Sequence, residues 1–509
     1  MKFFLLFSNL KIYYPDKIGF YIAEFMKRMA KYFIVAFISL TSGAVMFSQS
    51  GPESLAVTDS STQSLIKQQL TENIFTVREI DISGNKKTKE SVILRELPFG
   101  SGDTYALSEL VKKFEDARKQ LMNTALFHEV VVALKSFEGN NVDIMVAVKE
   151  RWYLFPIPYI KFVDRNLNQW LVEQNAKLSR VNYGIKLLYN NVSGHNDKLN
   201  LYLINGYTKQ ISLSYDRPYI DKKMKWGINT GLAIGRNREV NYNTINDKQV
   251  FFKDTNNFVR SFFRVFGEAT YRPAIKTRHR FGISYTVETI TDTIVALNPS
   301  YFTNGRDKIA FPEFYYLMNY IDVDYNPYPL KGYIAELYVA KRGLNNIINM
   351  WLLSAKASGS WEIAKKTYFG ARLAGAIKVP FCQPYFNQRF LGYSDFFMQG
   401  YEYYVVDGVA GGYAKAVLSR EILNLGFHVK RKKDVIPYRV PFRAYAKTFV
   451  NAGYAYHPDP GTNILNNRML YSAGLGIDII THYDFTLKFE WSFNLLGENG
   501  LYLHRKSYF

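Results

Sequence analysis

The sequence predicts a mainly β protein: a transmembrane antiparallel β-barrel of about 16 strands, preceded by one small α+β domain of βααββ order. Three observations carry that expectation. Aromatic residues are abundant, with 39 Tyr and 38 Phe in 509 residues, and many fall in period-two segments, as amphipathic strands require. Beyond residue 50 there is no run of about 18 or more apolar residues, so no helix there is suited to crossing a bilayer, and a segment that crosses must close its backbone hydrogen bonds in a barrel. Cys382 is the single cysteine, which excludes an internal disulfide and a thiolate metal cluster and leaves the fold to hold itself together.

Met26-Lys27-Arg28-Met29-Ala30-Lys31 forms a basic start, residues 32–47 are mostly apolar, and Ser48-Gln49-Ser50 supplies small residues for cleavage. Residues 1–50 therefore read as an N-terminal extension plus a secretory signal peptide, with Met26 or Met29 as alternative start and a membrane anchor as the alternative reading. Residues 51–72, rich in Ser, Thr and Gln, read as a linker.

Residues 73–155 form the small domain. Phe75 to Ser83 alternates as a strand, and Thr88-Lys89-Glu90-Ser91 opens a helix toward Val92, Ile93 and Leu97. Ser108 to Leu126 predicts a second helix with Leu110, Val111, Phe114, Ala117, Leu121 and Ala125 on one face. Two strands, Glu129 to Phe137 and Val142 to Lys149, follow around a Glu138-Gly139-Asn140-Asn141 turn. This order, with the strings REIDISGNKKTKESVILREL, NTALFHEVVVAL and VDIMVAVKERW, resembles a POTRA domain. The resemblance implies a sheet edge able to take an extended client segment as an added strand. A single such domain that only orients the barrel is the other reading.

Residues 165–509 form the barrel. Ile211, Leu213 and Tyr215 alternate with Ser212, Ser214 and Asp216, and Phe281, Ile283, Tyr285 and Val287 with Gly282, Ser284, Thr286 and Glu288. Phe485, Leu487, Phe489, Trp491 and Phe493 share one face opposite Thr486, Lys488, Glu490, Ser492 and Asn494. Lys488 and Glu490 are buried charges in a soluble sandwich, but a polar lumen accepts them. The length divides into about 16 units of about 21 to 22 residues, each a strand and a connection. The terminal Phe509 suits a last barrel strand.

The strings NYGIKLLYNNVSGHNDKLNLYLINGYTKQISLSYDRPYID, DVDYNPYPLKGYIAELYV, MQGYEYYVVDGVAGGYAKAVLSREI, FVNAGYAY and YSAGLGIDIITHYDFTLKFEWSFN occur in the order seen in the BamA/TamA superfamily of outer-membrane barrels, which the chain resembles over nearly its whole mature length. That resemblance implies an Arg-Gly-Phe/Tyr motif on an extracellular loop that folds into the lumen to meet acids on late strands. Here the matching positions are Gln399, Gly400 and Tyr401, so the Arg is missing. One acidic position is Asn451, and the other is kept as Glu421. Losing the Arg and one acid together exchanges an ion pair for a neutral Gln399–Asn451 hydrogen bond. Alternatively the loop is undocked and both residues line the lumen.

The net charge of +20 suits an anionic membrane surface or a basic lumen. Nucleic acid is disfavoured, because the basic residues are scattered along strand-like segments and the denser groups, Lys222-Lys223 and Lys430-Arg431-Lys432-Lys433, fall in turns or loops. There is no Gly-x-Ser-x-Gly elbow, no His-Glu-x-x-His and no phosphate loop, so an enzyme is not expected, nor a metal or cofactor. Two functions remain. The first is assembly, insertion or translocation of outer-membrane proteins, with unfolded clients or periplasmic and lipoprotein partners met through the POTRA domain. The second is a structural barrel associated with outer-membrane lipids and lipopolysaccharide.

Overall fold

The computed structural model describes residues 74–162, 170–171, 175, 181–206, 208–254, 256–345, 347–393, 396–429 and 438–504. The expected signal peptide and linker, the Lys430–Lys433 group and Phe509 lie outside the described residues.

The small domain has the expected elements. Strand β1 (Ile74–Ser83) leads to helix α1 (Glu90–Leu94), a short strand β2 (Thr104–Ala106), helix α2 (Leu107–Asn123), and strands β3 (Phe127–Glu138) and β4 (Asn141–Glu150). The sheet order is β2-β1-β4-β3, with β1 parallel to β4 and the other pairs antiparallel. Leu110, Ala117 and Leu121 of α2 are fully buried with Val77, Val142, Ile144 and Val146 of the sheet. Each large aliphatic side chain so buried contributes about 1.5 to 3 kcal/mol. Two expected members of the helix face are not there: Val111 is 58% exposed, and Ala125 lies beyond the helix end with positive φ. Position 111 adjoins Leu110 in sequence, so it points about 100° away around the helix.

A 16-stranded antiparallel sheet follows, its strands ordered as in the chain and interrupted only by strands inserted in two loops. It forms the barrel. The expected alternation is present: Phe281 and Ile283 are 49% and 51% exposed on the outer face, while Ser284 and Glu288 are buried inside. The sheet begins earlier than residue 165. Its first strand is Leu154–Phe162, four residues after β4 ends at Glu150 (154 − 150), and it pairs with Val181–Asn190. Pro156 and Pro158 mask it in the sequence, since proline counts against a strand anywhere but an edge.

The barrel turns nearest the small domain hold it firmly. Lys87 Nζ donates to Tyr189 Oη (2.7 Å), Asn191 Nδ2 to Thr88 Oγ1 (3.0 Å), and Lys89 N to Gly194 O (3.0 Å). Arg95 donates to the carbonyls of Met224 and Arg272, and Arg151 Nη1 to Asp484 Oδ2 at 2.8 Å. Arg272 and Glu96 form a buried ion pair, joined by Tyr219. Lys222 and Lys223 lie in one of these turns, as expected.

At the opposite end the loops pack on one another. The hairpin Glu239–Ile245/Lys248–Lys253 and the helix Asp292–Leu297 share a core containing Val240, Ile290, Ile294, Tyr301, Phe302 and Tyr385. Asp247 at the hairpin tip accepts the backbone N–H groups of Ile464 (3.0 Å) and Leu465 (3.1 Å), which ties it to a second loop.

Candidate functional site

The connection between the eleventh barrel strand (Thr367–Val379) and the twelfth (Ala410–Val429) carries Gln399, Gly400 and Tyr401. It is docked inside the barrel, and Gln399 and Tyr401 are both buried. Tyr401 Oη donates to Tyr471 O (3.0 Å) and accepts from Leu495 N (3.3 Å). Asn494 Nδ2 donates to Gly400 O at 2.8 Å. Gly400 has φ +89°, and a Cβ there would lie 2.9 Å from Ser472 Cβ. The loop can approach the fourteenth (Leu470–Ile480) and fifteenth (Thr486–Asn494) strands so closely only with glycine at 400.

The partners of Gln399 and Asn451 differ from the expected pair. Lys415 Nζ, from the twelfth strand, donates to Gln399 Oε1 at 2.9 Å, and Asn451 Nδ2 donates to Ser472 Oγ at 3.0 Å. Asn451 Oδ1 is buried without a hydrogen-bond partner, so it accepts nothing from Gln399. The reason is register: Asn451 stands opposite Lys415 across the strand pair, and the lysine's longer arm reaches the loop. Glu421 is not in the cluster. It lies six residues beyond Lys415 on the same strand (421 − 415), roughly 20 Å away, where Lys366 and Tyr445 meet it at 3.4 Å each.

The acids that do face the lumen here are Asp478 and Glu490. Lys447 Nζ bonds both, at 2.6 Å to Asp478 Oδ1 and 2.5 Å to Glu490 Oε1. Lys488 lies 3.9 Å from Asp478. His504, on the last described strand (Asn499–His504), lies 2.5 Å from Glu490 Oε2 and 3.6 Å from Glu402 of the loop. Lys447, Asp478, Lys488, Glu490, Glu402 and His504 are all buried. Charges so withdrawn from water hold only when paired: Lys447 and Lys488 meet Asp478 and Glu490, while Glu402 faces His504, an opposite charge only when the imidazole is protonated.

The resemblance put a cation on the loop and acids on the wall. This chain puts Lys415, Lys447 and Lys488 on the wall and a glutamate, Glu402, on the loop. Lys488 and Glu490 were legible as lumen residues from alternation alone. Lys447 shares its parity with Tyr445 and Phe449, but nothing in the sequence says which charges meet.

Residues 75–151 match the POTRA family profile, described as surface antigen variable number repeat. Among curated proteins, the outer membrane protein assembly factor BamA of Neorickettsia risticii (strain Illinois) is 38% identical over 77 residues, 15% of this chain and 10% of that protein. This chain therefore matches about a tenth of that relative's length. Among solved structures, CdiB from Escherichia coli aligns with a TM-score of 0.52 at 9% identity, covering 84% of this chain and 75% of the other. BamA from Haemophilus ducreyi lacking POTRA domains 1–3 aligns at a TM-score of 0.46 and 15% identity, over 85% and 83% of the two chains. A POTRA domain leading into a 16-stranded antiparallel barrel defines a class, the outer-membrane barrel with an N-terminal POTRA domain. The small domain is similar to POTRA domains, and the barrel is similar in fold to that of CdiB.

Proposed function

We propose that this protein assembles, inserts or translocates polypeptides at the bacterial outer membrane, with its POTRA domain in the periplasm receiving the unfolded client. The observation that carries this reading is the edge of the first barrel strand. Its register runs unbroken from Leu154 opposite Tyr189 to Phe162 opposite Val181, and it sets Pro156 opposite Leu187 and Pro158 opposite Ile185. Proline has no amide hydrogen, so that register holds only if the polar backbone groups of 156 and 158 turn away from the second strand, onto the free edge.

That edge meets the seam short of two donors. Among the described residues no ladder joins the first strand to the last. Every other neighbouring pair among the described residues has a continuous or nearly continuous ladder, and the missing proline donors make this the line along which the sheet would part most easily. Each hydrogen bond the edge does not make is worth about 1 kcal/mol in water and more in lipid. A wall that opens at one line, beside a domain whose sheet ends on the outer strands β2 and β3, suits the passage of a chain into the membrane. Lipoprotein partners would fit the POTRA domain, which lies on the same side as the Lys222-Lys223 turn.

Depletion in the host, followed by quantification of the outer-membrane proteome and of lipid asymmetry, tests the proposal. Loss of a defined set of barrels or surface proteins with normal lipids is expected. An unchanged proteome with disturbed lipids contradicts it and favours the lipid-associated barrel.

A further inference from the structure

The turn between the eighth strand (Lys308–Val323) and the ninth (Gly332–Arg342) leaves the barrel rim and enters the lumen. Tyr328 and Leu330 are buried there with Tyr445 and Ile480, which belong to the thirteenth (Tyr438–Tyr456) and fourteenth strands. Tyr328 Oη donates to Asp478 Oδ2 at 2.9 Å, and its ring stacks on Tyr445 with centroids 5.1 Å apart. Tyr325 Oη donates to Asp484 in the turn between the fourteenth and fifteenth strands. Side chains of this turn thus meet the thirteenth and fourteenth strands and the turn after the fourteenth across the interior, at the end nearest the POTRA domain.

The turn is stiff. Asp324 Oδ1 accepts the N–H groups of Leu330 and Lys331, both at 3.0 Å, Asp324 N donates to Lys331 O at 3.0 Å, and Pro327 and Pro329 fix φ at two positions. It therefore moves as one body. The POTRA domain grips that body at the C-terminal end of α2: Asn123 Nδ2 donates to Val323 O (3.1 Å) and Asn123 Oδ1 accepts from Asn326 N (3.0 Å). Arg151, at the end of β4, holds Asp484, the acceptor of Tyr325.

We propose that residues 324–331 are a plug at the periplasmic end of the lumen, and that the POTRA domain controls whether it is seated. A POTRA domain tilted off the rim releases Asn326 and Asp484 together, and the stiff turn withdraws with Tyr328. Asp478 then loses its tyrosine. Asp478 also pairs with Lys447, which pairs with Glu490, which pairs with His504 on the last strand, so plug release changes the partners available beside the seam. This rests on the lumen and its turns alone and is independent of which client, if any, the barrel handles.

The test is thiol accessibility in the full-length protein in liposomes, with Cys382→Ser as background and Leu330→Cys as reporter, since Leu330 is buried only while the turn is seated. A water-soluble maleimide is expected to label the parent slowly. Asn123→Ala is expected to raise the rate about tenfold, the population change that follows loss of its two hydrogen bonds to the turn. Tyr328→Phe, which removes the lumen anchor, is expected to do the same. Heat-modifiable gel migration confirms an assembled barrel in each variant, and Arg151→Gln, which releases Asp484, serves if Asn123→Ala fails to assemble. Fast labelling of the parent overturns the plug. Labelling that rises with Tyr328→Phe but stays at the parent rate with Asn123→Ala or Arg151→Gln overturns control by the POTRA domain.

Discussion

Arg272, just after the sixth barrel strand (Arg260–Tyr271), and Glu96 of the POTRA domain form a two-armed ion pair with both side chains buried, the second arm running from Nη2 to Oε2 at 2.7 Å. Burial pushes the Glu96 carboxyl up, but the hydrogen bonds and charge of Arg272 outweigh it and hold the group below the usual carboxylate value. A carboxyl with a depressed folded-state pKa adds stability above its unfolded pKa and loses it as pH falls through the folded one. Docking of the domain should therefore hold at neutral pH and weaken on acidification below the ordinary carboxylate range. Thermal melts from pH 6 to pH 3 (about the span of that range) should show a steeper fall for the parent than for Glu96→Gln.

Removing one partner of that pair leaves the other buried and uncompensated. Glu96→Ala should cost about 3 to 5 kcal/mol of docking stability. Limited proteolysis of the segment linking the POTRA domain to the barrel, around Arg151 and Trp152, reads the loss as faster cleavage.

Gln399→Arg brings a second cation against Lys415, whose Nζ lies 2.9 Å from Gln399 Oε1. The single variant should lower the temperature of barrel unfolding in heat-modifiable migration, by an amount equivalent to about 2 to 3 kcal/mol. Adding Asn451→Asp, directly across the strand pair from Lys415, should restore part of it. A loop insensitive to both changes contradicts its docking by these contacts.

Lys447→Met leaves Asp478 and Glu490 without their shared cation and should be the most destabilising single change in the lumen, about 3 to 5 kcal/mol by urea unfolding. Gly400→Ala forces a Cβ onto Ser472 in a left-handed backbone position. It should free the loop at a cost of about 1 to 3 kcal/mol, read as new protease cleavage between Tyr393 and Tyr404.

The barrel was legible because many of its strands obey period two, most clearly Thr277–Ile290, Leu470–Ile480 and Thr486–Asn494. Leu154–Phe162 was not, because Pro156 and Pro158 argue against a strand until the edge that tolerates them is known. Gln399-Gly400-Tyr401 marked this loop as one able to dock, with an undocked loop as the alternative, and Gly400 meets the requirement for close approach. The partners were misassigned for a physical reason. Which lumen charge meets which depends on stagger around the barrel and on how deep the loop reaches, and neither is encoded in the spacing of Lys415, Lys447, Asp478 and Glu490 along the chain.

The most direct test of the assembly reading is reconstitution of the purified protein in liposomes with a small unfolded outer-membrane barrel from the same host. Folding of that substrate is followed by its heat-modifiable migration and its protection from protease. Faster folding or protease-protected uptake than in empty liposomes, lost when residues 74–150 are deleted, is the expected result. Rates equal to those of empty liposomes contradict it.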